Sequence, residues 1–166
     1  MWYETKYLQN ASVLEDHQMY KALIIALTLM MSGRAMTLAF IHRAGGDNPG
    51  DPPLAWLMPL LGDAVVGVAG LVVAWLLATG RGLLVWTVAI AWNVIGIWDA
   101  LSAFVIHTTN PWPEFFMVQL FGGSMFFLAS AMHLLLIVLL ARPPARAWYL
   151  DGESVQTQGQ AQTPLR

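Results

Sequence analysis

Residues 54–78 read LAWLMPLLGDAVVGVAGLVVAWLLA, a run of 25 residues whose single charge is Asp63. A helix needs about 20 mostly apolar residues to cross about 30 Å of hydrocarbon. This run is long enough, and the sequence around it repeats the pattern. Residues 22–41, 83–106 and 115–141 are equally apolar, so four spans are expected. The expected fold is all-α: an antiparallel four-helix transmembrane bundle over residues 1–150, followed by a disordered cytoplasmic tail at 151–166. That tail is polar and has nothing to bury.

Composition agrees with the spans. Hydrophobic residues make up 57% of the chain and charged residues 11%, where a soluble domain carries about 25% charged residues. Too few charges remain to coat a water-soluble surface. A net charge of −2 with no Lys/Arg run gives nucleic acid no basic face. The absence of cysteine excludes disulfides, thiolate metal sites and cysteine nucleophiles. The opening MWYETKYLQNASVLEDHQ is mixed and acidic, unlike a cleaved signal peptide.

Punctuation sits between the spans. Ser12-Val13-Leu14-Glu15 fits a capping box ahead of the first helix. Asp51-Pro52-Pro53 and Asn110-Pro111 place a capping side chain before proline, which predicts the first turns of the second and fourth helices there. Gly80-Arg81-Gly82 predicts a tight hairpin, and Arg142-Pro143-Pro144 stops the fourth helix. Lys6, Lys21, Arg81, Arg142, Arg146 and Arg166 fall on one side of the spans and Arg43 on the other. The positive-inside rule then puts both termini in the cytoplasm. Trp56 and Trp112 are expected in the outer aromatic belt, with Tyr20, Trp86 and Trp148 in the inner one.

The ionisable residues inside the spans are the candidate site. Arg34, Asp63 and Asp99 lie roughly seven to nine residues from the outer ends of their helices, so their Cα atoms fall roughly 10–14 Å deep. Charge at that depth is expensive and is expected to face protein or water. Two carboxyls in one dry layer cannot both ionise cheaply; either Arg34 bridges them or one holds a proton. Since Cβ points toward a helix's N-terminus, Arg34 should lean deeper, toward Asp99.

Two stripes of small residues, Asp63/Gly67/Gly70/Ala74 and Ala89/Asn93/Gly96/Ala100/Ala103, are expected to pack against each other. Gln119, Gly123, Phe126, Ser130 and His133 should form the inward face of the fourth helix. Gln119 would join the layer on its shallow side, and Asn93 would join it from the third helix. By helix rise His133 should be remote from it, bonded to Ser130 or to a threonine. A haem would want a second axial ligand such as His or Met, and no other mid-membrane His exists. His42 and His107, with Asp47, Asp51 or Glu114, lack metal-ligand spacing, so neither a cofactor nor a metal is expected.

Gly62-Asp63-x3-Gly67 together with Trp92-Asn93-x2-Gly96-x2-Asp99 resembles a group of uncharacterised bacterial four-helix membrane proteins. The resemblance covers the second and third spans; it implies the inner membrane and supplies no activity. Asp51-Pro52-Pro53-x2-Trp56 resembles the emopamil-binding and sigma-2-type proteins, which would imply sterol-like ligands. Those carry an acidic residue in the first span where this chain has Arg34, so that reading is set aside.

Three function classes follow. Arg34, Asp63, Asn93, Asp99 and Gln119 could bind protons or a small ligand, with transport requiring oligomers because four helices are few for a monomeric transporter. The layer could instead lock the helices of an accessory subunit. An enzyme acting on a lipid or quinone ranks last, since no nucleophile–base spacing supports it. The expected partners are membrane lipids, with a second copy or a membrane-complex subunit, and not nucleic acid.

Overall fold

Where no water is present, every backbone N–H and C=O must find its partner within the segment, so an apolar run of this length becomes a helix. The computed structural model describes residues 18–151, and its described part is helical with no strand. Four helices are long and apolar enough to cross a membrane. We label the helices α1 (Gln18–Ile41), α2 (Leu57–Thr79, entered through a 3-10 turn at Leu54–Trp56), α3 (Leu83–Thr109), α4 (Phe116–Phe121), α5 (Ser124–Ala141) and α6 (Pro143–Arg146), which widens into a last turn at Ala147–Asp151. The capping box at Ser12–Glu15 and the tail beyond Asp151 lie outside the described residues.

Neighbours in sequence are neighbours in space: α1 packs on α2, α2 on α3, and α3 on α5. Large apolar side chains face outward from every long helix, among them Met58, Trp75, Leu84 and Trp98, each more than 60% exposed. That much outward apolar surface suits lipid rather than water. The interior divides into two apolar clusters. One holds Ile24, Val73, Leu77, Leu136, Leu140 and Tyr149; the other holds Trp56, Leu60, Ala103, Trp112, Phe115 and Phe126.

Several expectations are corrected. The fourth span is not continuous from 115 to 141. Gly122 adopts φ 58 and ψ −153, a conformation open only to glycine, and it separates the short α4 from α5. The Asx-Pro sites do not cap. The residues at the helix starts, Pro53 and Phe115, make no side-chain cap. Asp51 instead accepts from Arg43 Nε at 2.6 Å and from the Asn48 amide, closing the α1–α2 loop. Desolvation opposes the charge of Asp51, but the bonds from Asn48 and Arg43 prevail and hold its carboxyl below the usual range.

Trp56 and Trp112 are 2% and 1% exposed, so they form a core at one end of the bundle rather than a belt. Each indole N–H reaches a carbonyl, Trp56 to Asn110 O at 2.7 Å and Trp112 to Gly50 O at 3.1 Å, which removes the reason to seek headgroups.

Gly70 does meet α3, where a Cβ would come against Trp92, but the two small stripes as wholes do not face each other. A Cβ on Gly67 would strike the backbone of Arg34 and Ala35 in α1, while a Cβ on Gly96 would strike the His133 ring in α5. Each stripe thus receives the helix on its far side, and Trp92 joins α3 to α2 through its indole N–H on Val66 O at 2.9 Å.

Arg142 does end α5. The chain then folds back onto the Gly80–Gly82 turn. Gly82 N donates to Tyr149 O at 2.7 Å, and the buried Tyr149 hydroxyl donates to Leu77 O at 3.1 Å. Burial pushes the Tyr149 phenol up to about 12, so it keeps its proton and remains a donor. Trp148 sits beneath Lys21 and Arg81, whose cationic groups lie 5.0 and 4.0 Å from its ring centroid. It is therefore held by protein cations rather than placed as a free belt residue.

Candidate functional site: a buried Arg–Asp–Asp–His layer

Arg34 lies in a stretch of α1 that tightens to 3-10 geometry at Gly33–Thr37, where its backbone comes against Gly67. From there the guanidinium reaches into the bundle. Nε donates to Asp63 Oδ1 at 2.5 Å, and Nη2 pairs with both Asp63 Oδ1 and Asp99 Oδ2. Nη1 reaches Gly96 O at 3.3 Å and His133 Nε2 at 3.1 Å. A guanidinium carries five N–H donors in a fixed fork; here it makes four hydrogen bonds, and Nη2 also pairs with Asp63. Arg34 bridges the two carboxyls and leans toward α3, as its helix direction requires.

The network continues beyond the cation. Asn93 Nδ2 donates to Ala89 O at 2.8 Å, so its Oδ1 is left as an acceptor facing His133 Nδ1 at 2.9 Å. The bonding assigns the tautomer: Nδ1 carries the hydrogen, and Nε2 presents a lone pair to Arg34. His133 and Asn93 are 0% and 1% exposed, and Trp92 meets the imidazole edge-on at 5.0 Å. The side chains of Arg34, Asp63 and Asp99 keep 13%, 18% and 13% of their exposure.

Glycines make the room. A Cβ on Gly62 would meet the Asp99 carboxyl, and one on Gly70 would come within 2.5 Å of Ser32 Oγ and 2.8 Å of Trp92. With Gly67 beside Arg34 and Gly96 under His133, glycine lies against each element of the layer. The Gly62-Asp63 and Gly96-x2-Asp99 spacings are thus packing requirements of the layer itself.

Of the expected residues, the fold brings Arg34, Asp63, Asp99 and Asn93 into one network. It leaves Gln119 out: this residue is exposed on α4, with its backbone N–H on Phe115 O at 3.0 Å. His133, expected to be remote, belongs to the layer. The two corrections have separate causes. The Arg34 side chain reaches past Asp99 to Gly96 O, a turn earlier in α3, and to the imidazole, so the layer extends to His133. The break at Gly122 places Gln119 on the short α4, apart from α5. Ser130 bonds its own helix, at Phe126 O, 2.9 Å away.

Beside the layer, between α1 and α5, lies a cavity of about 380 Å³. Arg34, Thr37 and Asp63 contribute its polar lining, and the remainder is mainly Met, Phe and Ala. Comparison with protein-family models, curated proteins and solved structures finds no match for this chain.

Proposed function

We propose that this chain is a multi-pass bacterial inner-membrane protein whose Arg34–Asp63–Asp99 layer is a proton- and ligand-binding site, held in shape by His133 and Asn93. Both termini face the cytoplasm in this reading, on the strength of the Lys/Arg asymmetry in the flanks. The observation that carries the proposal is that Asp63 is both bonded to Arg34 and part of the wall of the 380 Å³ cavity. A layer serving packing alone has no need of such an opening. Charge balance supplies the chemistry: one guanidinium meets two carboxyls, so the layer is neutral when the carboxyl pair holds one proton.

A second reading has its own support. Arg34 bonds groups on α2, α3 and α5 at once, as a lock between those helices and α1 would. Infrared spectroscopy of the folded protein separates the two. The proposed site gives a protonated-carboxyl C=O band at neutral pH, and that band disappears in Asp63→Asn or Asp99→Asn because the remaining carboxylate is matched by Arg34. Absence of the band in the native protein, or its persistence in both variants, overturns the proton-holding reading and leaves the lock.

A further inference from the structure

The cavity is walled by residues 30–37 of α1 on one side and by residues 125–132 of α5 on the other. Its volume, about 380 Å³, falls in the roughly 300–1,000 Å³ range of small-molecule sites. The exposed side chains of Met30, Met36, Phe121 and Leu128 frame the mouth. These lie along the apolar outer surface of the helices, so access is from the lipid side.

The inner wall limits what can bind. An anion would have to compete with the four hydrogen bonds and two carboxyl pairings that Arg34 already makes with the protein. Asp63 is the carboxyl that faces the cavity, with 18% of its side chain exposed, whereas Asp99 does not line it. The layer has two carboxyls for one guanidinium, so the charge it lacks is positive. Aromatic faces attract cations, and thioethers adapt to varied apolar shapes.

We propose that the cavity binds an amphipathic organic cation, a primary amine on an apolar body, whose ammonium group pairs with Asp63. This rests on the proton-holding reading above and names its ligand. The ammonium replaces the proton of the carboxyl pair, so binding releases one proton to solvent and the layer stays neutral. Among the described residues, the charged and titratable groups around Asp63 are Arg34 of α1, Asp99 of α3 and, through Arg34, His133 of α5.

The test is calorimetric titration of decylammonium into the protein in zwitterionic lipid nanodiscs, with empty nanodiscs as blank and decanol and decanoate as length-matched controls. Saturable binding of the ammonium is expected, with a heat that varies with buffer ionisation enthalpy as release of one proton requires. Decanol should bind about tenfold more weakly or worse, and decanoate should not saturate. Asp63→Asn should abolish saturable binding. Should that variant fold poorly, Gly33→Leu gives the same answer. Gly33 lines the cavity and an added Cβ there meets nothing within 4 Å, so bulk fills the site while the fold and melting temperature hold.

Equal binding of the alcohol or the carboxylate, unchanged binding by Asp63→Asn, or no saturable binding overturns the proposal. If the ammonium fails while the protonated-carboxyl band is present, the cation-binding inference falls and the proton site stands. If the band itself is absent, both fall.

Discussion

Arg34 decides the chemistry of the layer, and its removal has a predictable cost. In Arg34→Met, two carboxyls and the His133 lone pair lose their donor in a region with little water. Breaking a buried pair from one side costs about 3–5 kcal/mol, less whatever protonation recovers. Removing one acid, as Asp63→Asn or Asp99→Asn, leaves a matched pair. Thermal melts should therefore place both Asn variants near the native protein and Arg34→Met clearly below them. An Arg34→Met variant melting with the Asn variants would show that the three residues are not coupled. His133→Leu strands an Arg34 N–H and the Asn93 Oδ1, each worth about 1–3 kcal/mol when buried unpaired. It should melt well below His133→Gln, whose amide can renew part of the network; equal melting would place the imidazole outside it. The acids and the arginine were legible in the sequence because charges in an apolar run announce themselves. The Gly96 carbonyl was not, because a backbone acceptor leaves no mark in the sequence.

At the level of elements, glycine governs which helices approach. Gly67→Leu should lower the yield of folded protein, because even a Cβ there runs into the α1 backbone. Leu71→Phe, at a side chain 53% exposed to lipid, should be tolerated. Equal yields by size-exclusion chromatography would place the α1–α2 contact elsewhere. Gly122→Ala forces a side chain into a glycine-only conformation, a strain of about 1–3 kcal/mol, and the measured loss in melting temperature checks it. The four spans could be read from hydropathy, and the hairpin at Gly80–Gly82 from its glycines. The pairing of the small stripes could not, since a stripe declares that something packs closely against it without saying what. Nor did Gly122-Gly123 declare a break; glycine is tolerated in membrane helices, and only its φ shows which use it has here.

For the whole molecule, topology and the docking of α6 and its last turn carry the testable consequences. Reporter fusions at Gly46 and Gly152 should report opposite sides of the membrane if the Lys/Arg asymmetry sets orientation. The same side for both would overturn the four-span order. Tyr149→Phe removes the bond to Leu77 O, which should cost about 0.5–1.5 kcal/mol and expose the end of α6 to limited proteolysis. Unchanged cleavage would mean that Gly82 N and the packing of Trp148 suffice to hold it.

The sequence by itself determined that the chain forms four apolar helices, and that Arg34, Asp63 and Asp99 fall at comparable depths. Both follow from one-dimensional facts, the length of an apolar run and the rise per residue. Only the tertiary structure decided which residues complete the layer. The reach of Arg34 to Gly96 O brought His133 in, and the break at Gly122 left Gln119 out. Asn93 then fixed the imidazole's tautomer, and the gap between α1 and α5 became a cavity walled by Asp63. These depend on the rotation of each helix about its axis and on the neighbour it meets, and side-chain size alone does not choose among neighbours in a medium where every helix face is apolar.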